Sequence, residues 1–312
     1  MKVLFTGLGS IGTRHLKNLH AAAGARGIPV EAWALRSSGR ALPAGTAALL
    51  AGQFTELPAE GVWDVAFITN PTSLHFDTLR LLRGRAGCLF IEKPIFDRTD
   101  KALADCLAPG QKAYVAAPMR WCGAMLALKR HLAEDDLRPY SARVICSSYL
   151  PGWRPGVDYR TVYSAHRDMG GGVTIDLIHE WDYLAELFGL PCQVYNFKGT
   201  YSDLEIDSDD LSVYIARWPS MLGEVHLDYF GREYRRGIEL FCQDGTLTAD
   251  FGAGTLTLPD GRTEAYEEPV NRRYEREMDY FLTYALTGEG DSVNPPQTAL
   301  DVLKLTLGER SV

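Results

Sequence analysis

Two rhythms of apolar and polar positions divide this chain. Up to residue 118, short apolar runs recur at Lys2 to Thr6, Val30 to Leu35, Val65 to Ile68, Cys88 to Ile91 and Ala113 to Ala117. Each is too short for a stable helix and apolar at successive positions, as strands covered on both faces are. Helical patterns lie between them: Ile11, Leu16 and Leu19 share one side after the first run, a turn at Thr69-Asn70-Pro71-Thr72 opens another, and Thr99 near an N-cap opens a third to Leu107. Strand alternating with helix predicts an α/β fold, a Rossmann-type doubly wound parallel sheet.

After Pro118-Met119-Arg120-Trp121 the rhythm changes. Cys122 to Leu132 predicts a helix, Ala142 to Tyr149 an alternating strand, and Val173 to Phe188 a second helix. Strands then dominate: Gln193 to Phe197, Leu211 to Trp218, Gly223 to Tyr229, Gly237 to Phe241, Thr246 to Asp250 and Thr255 to Leu258. Asp244-Gly245 and Asp260-Gly261 are hairpin signals, so this half predicts an α+β domain with a large open, mostly antiparallel sheet. If Tyr214 and Trp218 face away from the covering helix beside Tyr229, the outer face of that sheet is apolar too. It would then pair two or four copies, giving a homodimer or homotetramer. Arg272 to Thr287 predicts a helix whose Tyr274, Met278, Phe281, Leu282 and Ala285 form a core stripe. Pro295-Pro296 breaks the chain before a closing helix, Thr298 to Leu307, expected to return to the first domain. The expected domains are therefore residues 1–118 with 296–312 packed back on them, and residues 119–295 for substrate binding and oligomerisation.

With 312 residues, 46% of them hydrophobic, the chain can bury two cores. A net charge of -8 argues against a nucleic-acid or anionic-membrane binder, since both surfaces repel an acidic protein. No uninterrupted apolar run is long enough for a signal-peptide core or a bilayer span, which places the protein in the cytoplasm. The six cysteines lack any Cys-x-x-Cys pair and read as reduced core thiols; no metal site is expected.

The first chemistry follows the first strand. In Gly7-Leu8-Gly9-Ser10-Ile11-Gly12, Gly7 permits a tight turn, Gly9 lets backbone approach a pyrophosphate, and Gly12 lets the helix pack close. The second strand ends in Arg36-Ser37-Ser38-Gly39-Arg40, with no carboxylate to bind a ribose 2′-hydroxyl. Arg36 and the Ser37 and Ser38 hydroxyls suit a 2′-phosphate, so NADP is the expected cofactor, with NAD the alternative. Thr69, Asn70 and Pro71 fall along the cofactor groove, with His75 on the helix beyond as a groove or supporting residue. Glu92-Lys93-Pro94 closes a buried strand at its carboxyl end, where open α/β sheets bind ligands. Pro94 stiffens the Lys93 backbone and permits a cis bond.

The long connection of the second half carries Trp153, Arg154, Tyr159, Arg160, Tyr163, His166 and Arg167. Guanidinium groups among aromatics suit an anionic or sugar-like ligand, and Arg120 is grouped with them. Gly170-Gly171-Gly172 then allows a close backbone approach before Asp176 and His179, three residues apart on one helix face. His179 can accept and return a proton near neutral pH, and Asp176 can orient it; Lys93 completes an acid/base set.

Gly7 to Gly12, Thr69-Asn70-Pro71, Glu92-Lys93-Pro94, and Gly170-Gly171-Gly172 through Asp176 and His179 together resemble the family of glucose-fructose oxidoreductases, inositol dehydrogenases and MocA-like proteins. The resemblance implies a nicotinamide domain, a substrate domain, and a site served by both. It also implies Lys93 and His179 as acid and base with Asp176 as partner; members often space the Asp and His by four, so which of the two meets the substrate hydroxyl stays open. Trp153-Arg154-Pro155-Gly156 and Asp158-Tyr159-Arg160 are similar to members associated with sialic-acid-like sugars. The expected activity is hydride transfer between NAD(P) and a secondary alcohol of a sugar, sugar acid or cyclitol. A cofactor-retaining hydrolase or lyase and a non-catalytic NAD(P)-binding sensor are the alternatives.

Overall fold

The computed structural model describes residues 1–37, 40–287 and 290–308, and the chain divides into two compact units. The first comprises Met1–Pro118 and Tyr274–Leu300; the second, Met119–Arg273 and Asp301 onward. In chain order the first contains β1 (Lys2–Thr6), α1 (Ser10–Ala25), β2 (Glu31–Leu35), α2 (Ala44–Ala47), β3 (Gly52–Phe54), β4 (Trp63–Ile68), α3 (His75–Leu81), β5 (Ala86–Ile91), α4 (Leu103–Cys106) and β6 (Lys112–Val115). All six strands are parallel, in the order β3-β2-β1-β4-β5-β6. That is the dinucleotide-binding order, with its reversal between β1 and β4.

Short β3 has no apolar signature and was not anticipated, so the Lys93 strand is the fifth of this sheet. The helix expected from Thr99 starts only at Leu103, because Ala102 is extended (φ -90°, ψ 129°). Val3, Phe5, Phe67, Phe90 and Tyr114 form the core beneath α1, with Phe5 and Phe67 stacked 4.4 Å apart.

The second unit contains α5 (Gly123–Glu134), β7 (Pro139–Tyr149), α6 (Val173–Asp176), α7 (His179–Phe188), β8 (Gln193–Gly199), β9 (Leu211–Arg217), β10 (Leu222–Asp228), β11 (Phe230–Cys242), β12 (Gly245–Asp250), β13 (Thr255–Thr257) and β14 (Thr263–Ala265). These eight strands lie in the order β14-β13-β12-β11-β7-β10-β9-β8, antiparallel except for the β7–β10 pair. Both Asp-Gly turns close hairpins, β11 to β12 and β13 to β14. Trp181 of α7 packs edge-on against Tyr214 at 5.1 Å and stacks with Trp218 at 6.3 Å. Tyr214 and Trp218 therefore face the covering helix, contrary to the condition on which an apolar outer face was expected. That face is nonetheless partly apolar, through the alternate positions Tyr195, Phe197, Ile215 and Leu222, all exposed.

The chain ends with α8 (Asn271–Thr287) and α9 (Pro296–Thr306). Met278, Phe281 and Leu282 are fully buried in the first unit's core, and Glu277 accepts hydrogen bonds from the Tyr114 hydroxyl (2.8 Å) and the Ala117 N–H (2.6 Å). The segment returning to the parallel sheet is thus Tyr274–Leu300, whereas the sequence reading placed the return at 296–312. Beyond Leu300 the chain belongs with the second sheet, where Tyr214 donates to the Thr306 carbonyl at 2.8 Å. Five cysteines are buried and Cys192 is exposed, so the core-thiol reading holds for five. Burial pushes the Cys88 thiol up to about 12 and Cys106 to about 11, which leaves both unreactive.

Candidate active site

In the first unit, Gly7 (φ 98°) follows β1 and lies against the Asn70 backbone, where an added Cβ would come 3.0 Å from Asn70 Cα. A Cβ on Gly12 would sit 2.5 Å from the Gly7 carbonyl oxygen and 2.9 Å from Thr69 Oγ1. Packing within the protein thus demands glycine at both positions. Gly9 is different: a Cβ there would meet nothing within 4 Å. Gly9 is also the N-cap of α1, and no side chain caps that end. The open approach, the uncapped N–H groups of Ser10 and Ile11, and the helix dipole fit a pyrophosphate.

Thr69 donates to the Gly7 carbonyl at 2.8 Å and ties the end of β4 to the glycine turn. Asn70 donates through Nδ2 to Thr78 (2.8 Å), while its buried Oδ1 has no hydrogen-bond partner. A buried acceptor without a donor beside the glycine turn suits an amide or ribose hydroxyl supplied by a bound dinucleotide. Pro71 precedes the turn into α3.

His75 does not open to this groove. It is buried, its Nδ1 facing the Ile95 carbonyl (3.2 Å) and its Nε2 the Asn70 carbonyl (3.1 Å), so it braces the backbone of two groove segments. Burial lowers its pKa against the raising pull of those carbonyls and Glu92. Arg36 donates to the Arg40 carbonyl (2.7 Å) and Gln53 Oε1 (2.8 Å) at the end of β2. Ser37 follows it, and Ser38 lies outside the described residues.

At the end of β5 the Lys93-Pro94 bond is cis. Glu92 Oε2 accepts the Lys93 N–H (3.1 Å), and Oε1 is 2.5 Å from Nε2 of fully buried His15. Burial alone would push the Glu92 carboxyl up, but the bond to His15, its electrostatic pull and Lys93 hold it below the usual glutamate range. His15 was missed from the sequence, although it sits beside Leu16 on the inward side of α1. The missing signal is its partner, 77 positions away.

In the second unit, a cavity of about 450 Å³ is lined by Ser148, Trp153, Asp176, His179, Arg232 and Arg236, among others. Asp176 and His179 do meet there, though not on one continuous helix. Leu177 (φ -98°, ψ 29°) ends α6, and His179 begins α7. Asp176 accepts from the hydroxyls of Tyr163 (2.8 Å) and Tyr229 (2.6 Å), which burial and that carboxylate keep protonated. Trp153 donates to Ser148 Oγ at 3.1 Å and packs edge-on against Tyr229 at 5.2 Å.

Other expected ligand contacts are engaged elsewhere. Arg120 is buried in a two-pronged pair with Asp182, both bonds 2.8 Å, and is a scaffold residue. Arg160 is exposed and bound to Asp158 (2.9 Å) and Glu205 (2.6 Å), while the Tyr159 hydroxyl accepts the Glu205 N–H. His166 Nε2 faces the Arg160 carbonyl at 2.7 Å, and Arg154 lies over the Tyr163 ring at 5.9 Å. The connection is a chain of short 3-10 turns held by these ties. Gly171 and Gly172 do approach something closely, namely the Tyr163 backbone and the Asp209 carboxylate. Arg232 and Arg236 were missed, because the register of β11 shifts against β7 between Phe230 and Arg235 and no strand pattern marks such a shift.

No protein-family model matches the sequence, and no curated protein does. Solved structures match over nearly the whole chain. Levoglucosan dehydrogenase, in complex with NADH and levoglucosan, superposes with a TM-score of 0.84 at 17% identity, covering 100% of this chain and 98% of that one. This chain shares the fold of that protein. The WlbA dehydrogenase from Bordetella pertussis, in complex with NADH and UDP-GlcNAcA, gives 0.77 at 20% identity, over 98% and 94% of the two chains. Myo-inositol 2-dehydrogenase from Lactobacillus plantarum gives 0.78 at 16% identity, over 98% and 95%. These neighbours are of the glucose-fructose oxidoreductase, inositol dehydrogenase and MocA-like type.

Proposed function

We propose that this protein is an NAD(P)-dependent oxidoreductase acting on a secondary alcohol of a sugar, sugar acid or cyclitol. The observation that carries the reading is the pairing, within one fold, of a glycine turn whose middle glycine faces open space with a cavity that gathers Asp176, His179 and Trp153. A bound nicotinamide supplies hydride acceptance and donation. This chain's residues do the rest: in the first unit Lys93 is the group to polarise a hydroxyl oxygen and hold its proton, and in the second His179 accepts and returns a proton while Asp176, fixed by two tyrosine hydroxyls, orients it. Trp153 offers a flat apolar surface to a sugar ring. Arg36 and Ser37 favour NADP over NAD, because no acidic residue stands at the end of β2 to repel a 2′-phosphate. The exposed apolar side chains on the outer face of the second sheet support a homodimer or homotetramer, and a soluble nicotinamide cofactor fits a cytoplasmic location.

The test is an absorbance screen with NADP and NAD, in both directions, against inositols, aldoses, nucleotide-linked sugars and sugar acids. Turnover with one class is expected, and Lys93→Ala should lower kcat about 10²- to 10⁴-fold while cofactor affinity stays within a few-fold. Cofactor binding with no net turnover on any class would overturn the dehydrogenase reading.

A further inference from the structure

The register of β11 against β7 breaks beside the cavity. Phe230 pairs with Tyr149 and Arg235 with Ser147, so Gly231 to Tyr234 all stand opposite Ser148. Such bulges re-aim side chains and cluster near functional sites. This one is anchored: Asp228 Oδ1 accepts the N–H groups of Phe230 (3.1 Å) and Gly231 (2.7 Å). Gly231 lies close against Ser147 at its base, where an added Cβ would have to displace the Ser147 hydroxyl.

The bulge lifts Arg232 over the Tyr149 ring, 3.9 Å from its centroid, at the wall of the cavity that holds Asp176 and His179. Its neighbours are committed. Arg235 pairs with Glu233 (3.2 Å), and Arg236 pairs with the fully buried Glu180 through two bonds of 2.7 and 3.1 Å. Among the described residues, Arg232 has no carboxylate partner. Stacking on Tyr149 orders the side chain while leaving its in-plane N–H fork for a planar anion.

We propose that Arg232 is the carboxylate-binding residue of this cavity and that the substrate is a sugar acid carrying a single carboxylate. The charges favour a monoanion. Arg236 is neutralised by Glu180 and Asp176 is held by its tyrosines, so of the two arginines lining the cavity Arg232 is the one left to face a ligand. A phosphate, nearly doubly charged, would face the Asp176 carboxylate with only one such cation to offset it. The inference builds on the dehydrogenase reading for the chemistry at the hydroxyl, but the anion site is tested by binding alone.

Calorimetric titration of the full chain, with and without NADH, would use matched probes: N-acetylneuraminate and its methyl ester, glucuronate and glucose, galacturonate and galactose, with glucose 6-phosphate as the phosphate arm. At least one acid is expected to bind about 10- to 100-fold tighter than its neutral partner. Arg232→Gln should abolish that gap and leave the neutral sugar's affinity within about threefold, while Arg232→Lys keeps part of it. Because Arg232 is exposed, both variants should melt within a few degrees of the parent. Equal or undetectable binding of every acid, a gap that survives Arg232→Gln, or a preference for glucose 6-phosphate would overturn the proposal. Acid binding that depends on Arg232 without turnover would overturn the dehydrogenase reading and leave this site standing.

Discussion

Lys93 owes its position to Glu92, its neighbour in the chain, and through it to His15, 77 positions from Glu92. Glu92 takes the Lys93 N–H on one oxygen and faces His15 with the other, so a carboxylate inside the core clamps the base of the lysine. His15→Ala would leave that carboxylate without its strongest partner. We expect a loss of about 1–3 kcal/mol in stability and a fall in turnover as Lys93 loosens. Denaturant melts and kcat measured side by side check this, and His15→Gln should restore part of both. An unchanged melt would show that Glu92 finds another donor.

Among the elements, α7 and β11 are joined by a nearly buried ion pair between Glu180 and Arg236. Removing one partner from such a pair strands the other charge. Glu180→Ala should cost about 3–5 kcal/mol, measured as a drop in the denaturation midpoint, whereas breaking a surface pair such as Arg160–Asp158 should leave that midpoint nearly unchanged. The brace between α3 and the segment after β5 depends on pH. His75 is neutral in the fold because burial lowers its pKa, while in the unfolded chain it titrates near its ordinary 6.5. Below that pH the unfolded chain binds the extra proton, so stability is complete above 6.5 and falls as pH drops towards the lowered value. The slope is at most ~1.4 kcal/mol per pH unit. Comparing denaturation at pH 7.5 and 5.5 for the parent and His75→Gln checks it: the variant should lose this part of the slope.

On the scale of the whole molecule, the outer face of the second sheet carries an exposed apolar strip. Tyr195 and Ile215 pair in register, beside Phe197, and the next strands continue that face through Glu224, Arg143 and Glu239 in an ion-pair ladder. An exposed apolar strip flanked by paired charges suits association with a second copy. Phe197→Glu should therefore shift the mass in light scattering to that of a monomer at micromolar concentration. A parent that is already monomeric would dispose of the sheet-mediated dimer.

Local chemistry alone determined the parallel sheet, the glycine turn and the Glu-Lys-Pro strand end. Buried apolar runs, the steric freedom of glycine and the fixed φ of proline act over a few residues and need no partner to be read. The core stripe of α8 was legible for the same reason, since its period of 3.6 is intrinsic to the helix. Tertiary structure decided whatever depends on residues distant in the chain. It set Arg120 against Asp182, His15 against Glu92, and Tyr214 against Trp181 instead of the outer face. Among the described residues it also left Arg232, which no pattern marked, without a carboxylate partner, while Arg160 pairs with Asp158 and Glu205. Which carboxylates stand beside a charge depends on segments far apart in the chain, as Glu205 beside Arg160 shows.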